Sequence, residues 1–71
     1  MMKVLIVVEQ TPTGYSAYSP DIEGCVATGT TQDEVERTMR EALEFHLDAL
    51  RAEGRSVPAP HSYATFVEVV A

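Results

Sequence analysis

Residues 29–54, GTTQDEVERTMREALEFHLDALRAEG, decide the fold of this chain. Thr31 followed three residues later by Glu34 is the capping-box pattern, in which a hydroxyl and a carboxylate satisfy the orphan amides at a helix start. Asp33, Glu34 and Glu36 fall in the opening turns, where the helix dipole favours negative charge. Val35, Met39, Ala42, Leu43, His46 and Leu50 recur at steps of three and four, which marks one apolar stripe. Arg51 in the last turn and Gly54 just beyond it supply the stop. The spacing predicts a helix over 31–53 that buries one face.

Upstream, the period changes from helical to strand-like. Lys3 to Val8 is an almost unbroken β-branched run, expected to be a buried strand. Pro12 and Gly14 punctuate it, and Tyr15 to Ser19 reads as a second strand with alternating faces. PDIEG, residues 20–24, is a further turn, and CVATG, residues 25–29, a short third strand. Such tight spacing makes an antiparallel meander. Downstream, RSVPAPH (55–61) is too rich in proline to prolong the helix. SYATFVEVV (62–70) is again β-branched and aromatic. The expected order is β-β-β-α-β: an α+β domain with one helix on a four-stranded mixed sheet, the last strand beside the first through a right-handed crossover.

With 71 residues there is room for one domain, 1–71, and a chain this short buries only about 60% of its unfolded surface. Small domains commonly gain support from disulfides, a metal or a second subunit. The single cysteine excludes an internal disulfide, and Cys25, His46 and His61 lack zinc-ligand spacing. Both faces of the central strands carry apolar residues, while one helix covers only one face. A homodimer or higher oligomer is therefore expected. No apolar run approaches a membrane span, and the N-terminal run lacks the features of a signal peptide, which places the protein in the cytoplasm.

Eleven acids against five bases give a formal net charge of −6. So acidic a chain repels phosphate backbones and has no basic patch to offset this, which argues against direct nucleic-acid binding. A basic protein partner suits it better. Catalysis finds little support. Cys25 sits beside Glu23 and Gly24, with nothing in sequence to lower its pKa. The acids do not converge from rigid elements, as metal-dependent hydrolysis requires. His46 falls within the apolar stripe, where a buried histidine with one satisfied nitrogen is the common case. No cofactor is expected.

The segment from Tyr15 to Pro60 resembles the HicB-like antitoxin family. Its parts are the aromatic strand ending at Tyr18, the turn Pro20-Asp21-Ile22-Glu23-Gly24-Cys25, then Gly29-Thr30-Thr31, the acidic helix, and the exit Gly54 with Val57-Pro58. The resemblance implies a partial, truncated RNase H-like fold. It also implies a degenerate one, because an active site of that type needs a carboxylate midway along its first strand, and here that strand is KVLIVV. Members neutralise a small basic mRNA-interferase toxin, HicA, by direct contact. Candidate partner-binding residues are Tyr18, Asp21, Glu23, Glu41, Glu44 and Glu53, taken as an exposed aromatic and exposed acids. Many members carry a further C-terminal DNA-binding segment. Here the sequence ends after the last strand, so direct DNA binding is not expected without an added domain. The alternative function is a solitary oligomeric domain that binds a small ligand or has lost its toxin.

Overall fold

The computed structural model describes residues 2–71. Its order is β1 (Val7–Thr11), β2 (Gly14–Tyr18), β3 (Val26–Gly29) and α1 (Gln32–Ala52). The strands form one antiparallel sheet in the order β1-β2-β3, with Thr11 opposite Gly14 across the first hairpin and Tyr18 opposite Val26 in the second pairing. The meander and the helix are therefore as the sequence implies, and the architecture is α+β.

Both ends of α1 are closed by local chemistry. The Thr31 hydroxyl accepts a hydrogen bond from the Glu34 amide at 3.1 Å. The Glu34 carboxylate reaches back one residue further than a standard capping box, accepting from the Thr30 amide at 3.2 Å and the Thr30 hydroxyl at 3.0 Å. At the other end the Gly54 amide donates to the Arg51 carbonyl and the Arg55 amide to the Leu50 carbonyl, a Schellman stop with Gly54 at a φ of 71°. Replacing Thr31 by alanine removes the cap and is expected to lower stability by about 1 kcal/mol in urea unfolding. Retention of full stability would show that the Glu34–Thr30 bonds close the helix by themselves.

The start of α1 lies close to the end of β3, where a Cβ on Gly29 would stand 2.8 Å from the Val35 amide nitrogen. Ala17 and Ala27 face one another across β2 and β3, both buried, and leave space for Val35 and Met39, neither of which is solvent-exposed. Leu43, Leu47, Leu50, Ile22 and Cys25 complete the core. Leu47 joins the stripe expected from the sequence, and Ile22 enters from a turn. Because α1 lies chiefly across β2 and β3 and only grazes β1, Val4, Ile6 and Val8 pack against the core yet stay half-buried.

Two expectations are corrected. The first strand pairs over Val7–Thr11, not from Lys3 to Val8. Its partner β2 ends at Tyr18, and Pro20 has no amide to extend the ladder. Instead the Ser19 hydroxyl donates to the Leu5 carbonyl at 3.0 Å. The second correction is larger. The sheet has three strands and is purely antiparallel, not four-stranded and mixed, because residues 63–70 lie exposed without joining it. Val57 packs on the core and His61 contacts Asp21, so the chain is tied down on the side of the Pro20–Gly24 turn before this last segment begins.

Candidate functional site

The Pro20–Cys25 stretch, the most distinctive in the chain, forms a turn in which Gly24 has a φ of 83°, a conformation that favours glycine. The turn drives Ile22 into the core and brings Asp21 with it. A shallow cleft of about 450 Å³ opens beside the turn, lined by Asp21, Glu23, His46, Arg55 and His61 among others. Two histidines that lie far apart in sequence therefore share one cleft with two acids. Among the described residues, no three His, Cys, Asp or Glu side chains are grouped so as to hold a metal ion.

Asp21 was expected on the surface, but it is buried: its side chain is 2% exposed. The reason is that residues 57–62 fold over it, with His61 Nδ1 3.1 Å from Oδ1. Neither carboxylate oxygen has a well-aligned hydrogen bond. Burial alone pushes such a carboxyl up, but the Ser62 side chain, the His61 and Ser62 amides and the His61 ring outweigh it and hold Asp21 below its ordinary value of 3.8. A carboxylate whose pKa is lowered by folding stabilises the fold above its unfolded value, and that contribution is lost as pH falls through the folded value. Below pH ~4 the 57–62 segment is expected to loosen, seen as faster amide exchange at His61 and Ser62, and Asp21→Asn should abolish this acid dependence. Equal exchange profiles for the two proteins below pH 4 would refute the assignment.

Cys25 is 5% exposed, and burial raises its thiol pKa. Its sulfur points toward the Ala42 carbonyl at 4.0 Å, a weak contact with the helix. Such a thiol is expected to react with an alkylating reagent only when the fold opens, at least ~10-fold more slowly than in denaturant.

The remaining candidate residues are exposed, but they do not form one patch. Tyr18 follows buried Ala17 along β2, so it points to the sheet face away from the helix. Glu41 lies on the solvent side of α1, Glu44 borders the gap between α1 and β1, and Glu53 caps the helix end. Among the described residues the ion pairs are Arg51–Asp48 at 3.2 Å and His61–Asp21, which leaves Glu23, Glu41, Glu44 and Glu53 unpaired. One residue of interest escaped the sequence reading. Phe45 is 79% exposed in the same row as Glu41 and Asp48. At 100° per residue it lies about 200° from Leu43, so a helical wheel would have flagged an aromatic on the acidic side.

Residues 3–70 match the family described as "HicB_like antitoxin of bacterial toxin-antitoxin system". The chain belongs to this family. Its relatives include a UPF0150 protein of Helicobacter pylori J99, 36% identical over 52 residues that make up 73% of this chain and 72% of that protein. A UPF0150 protein of Synechocystis is 38% identical over 45 residues, 63% of this chain and 57% of that one. Among solved structures, a chain in a "HicA3 and HicB3 toxin-antitoxin complex" superimposes with a TM-score of 0.66 at 32% identity, covering 83% of this HicB-like chain and 72% of the other. No helix among the described residues is long and apolar enough to cross a membrane.

Proposed function

We propose that this HicB-like chain is a non-catalytic antitoxin that acts in the cytoplasm by binding a small, basic, RNA-cleaving toxin of the HicA type. The family and the likeness to a chain of a toxin–antitoxin complex support the class of function. The observation that carries the mode of binding is the outer face of α1, where the exposed Phe45 lies in one row with Glu41 and with Asp48, the latter paired with Arg51. Acids around an exposed aromatic fit a basic protein surface: the charge guides the approach, and the ring supplies apolar area that water leaves on contact. Glu53 extends the negative field along the same helix. Tyr18 and Glu23 lie on other faces and would be reached only by a partner that wraps the domain edge. Asp21, being buried, acts by holding the turn that presents Glu23. The sheet itself, with no acid in Val4–Val8, serves as a scaffold of partial RNase H-like form.

The test is a tagged pull-down from the native host at low salt, with the eluted proteins assayed on RNA. The expected result is a small basic protein that cleaves RNA alone and stops when this chain is added back at equal stoichiometry. Recovery of the chain alone would overturn the reading.

A further inference from the structure

The His61 ring is held by one edge and open at the other. Its Nδ1 lies 3.3 Å from the Ala59 carbonyl oxygen and 3.1 Å from Asp21 Oδ1. A carbonyl and an ionised carboxylate can only accept hydrogen bonds, so the hydrogen of the neutral imidazole sits on Nδ1. The lone pair is left on Nε2, at the far edge of a side chain that is 70% exposed. A carboxylate or carbonyl behind one ring nitrogen is what fixes the tautomer of metal-binding histidines and raises the basicity of the other nitrogen.

Asp21 gives an independent reason for positive charge at that edge. Its side chain is sealed from water, and neither carboxylate oxygen has a well-aligned hydrogen bond. A buried carboxylate so poorly partnered is costly, and a cation bound through the ring beside it lowers that cost. The adjoining cleft brings further donors, because His46 from α1 and Glu23 from the turn line it together with His61. Glu23 is exposed, His46 is half-buried, and neither is held in an ion pair among the described residues. We propose that this cleft binds a divalent metal ion of the zinc or nickel type, with His61 Nε2 as the anchoring ligand and His46 as the second.

The donors select the class of metal. Neutral imidazole suits zinc, nickel and copper, whereas magnesium and calcium take oxygen ligands. Asp21 acts from behind the ring and is not itself a ligand, since its oxygens are sealed. No three His, Cys, Asp or Glu side chains among the described residues are gathered about one point. The site therefore rests on two histidines, with water or the Glu23 carboxylate filling the remaining positions. Such an open shell binds its ion reversibly, unlike the closed four-ligand sites of structural zinc. Arg55 lines the same cleft and opposes a cation there, but it is exposed and can turn its head group to water. Bound metal would join α1 to the segment that covers Asp21.

The proposal concerns the chain alone and stands apart from any toxin. The full chain is titrated with Zn²⁺ near neutral pH and followed through the ¹⁵N resonances of its histidine rings. One equivalent should bind saturably, moving His61 Nε2 and the His46 ring while His61 Nδ1 keeps its hydrogen. Asp21→Asn leaves an acceptor beside Nδ1 but removes its charge, and should weaken binding by about 10- to 100-fold. His61→Ala, at an exposed site, should keep its helical circular dichroism and lose the binding. Zn²⁺ should also raise Tm of the native chain and not that of His61→Ala. Absence of saturable binding, a response confined to the surface acids, metal on His61 Nδ1, or native affinity in Asp21→Asn would each overturn it.

Discussion

Replacing Met39 by alanine is expected to remove about 3 kcal/mol of stability and lower Tm by roughly 12–24 °C. Met39 is wholly buried, in the core between α1 and the sheet that also holds Ala17 and Ala27. Those alanines carry no side chain long enough to refill the space. The cavity therefore cannot collapse, which places the loss well inside the 2–5 kcal/mol range typical of Met→Ala. For a domain of this size, with about 4–10 kcal/mol in total, that is a third or more of the stability. Met39→Leu keeps the volume and is expected to cost less than ~1.5 kcal/mol. Urea unfolding of the two variants checks this. A Met39→Ala loss below ~1 kcal/mol would mean that the helix re-seats on the sheet and fills the space.

What the sequence disclosed follows from the range of the forces involved. α1 was legible almost to the residue because Thr31 with Glu34, and Leu50 with Gly54, each act within about one turn. The hairpins were legible because Pro12, Gly14 and Gly24 impose turns by their own backbone geometry. Asp21 was misplaced because its burial depends on residues 57–62, and an acid after a proline reads as surface in any local window. Ile22 was passed over because it lies in a turn, where no periodic pattern assigns it to the core. The last strand shows a different limit. Tyr63–Val70 has the composition of a strand, but composition does not supply a pairing partner, and in the structure the segment lies outside the sheet. Hydrogen bonds within a chain and between chains draw on the same residues. Of the candidate contacts, Glu23, Glu41, Glu44 and Glu53 are exposed, as their polarity suggested. Phe45 was hidden by its type, since an apolar residue in an amphipathic helix is first assigned to the core.

Reversing Glu23, Glu41, Glu44 and Glu53 to lysine is expected to slow association with a basic toxin by about 100-fold at low salt. Each substitution adds two units of charge, taking the net from −6 to +2. All four side chains are exposed and unpaired, so the fold loses little: surface ion pairs are worth about 0–1 kcal/mol even where they exist. The discriminating observation is the sign of the salt dependence. With the native chain the rate should fall as ionic strength rises and the Debye length shrinks toward ~8 Å; with the reversed chain, attraction has become repulsion and the rate should rise instead. Phe45→Ala should behave in the opposite way, leaving the association rate and its salt slope nearly unchanged while speeding dissociation by about 30-fold, the equivalent of ~2 kcal/mol for a buried aromatic anchor. The two variants thus separate long-range steering by the acidic surface from anchoring on the outer face of α1. If charge reversal left both the rate and the sign of its salt dependence as they are in the native chain, the acids would serve solubility alone, and the binding surface would have to be sought on the sheet face around Tyr18.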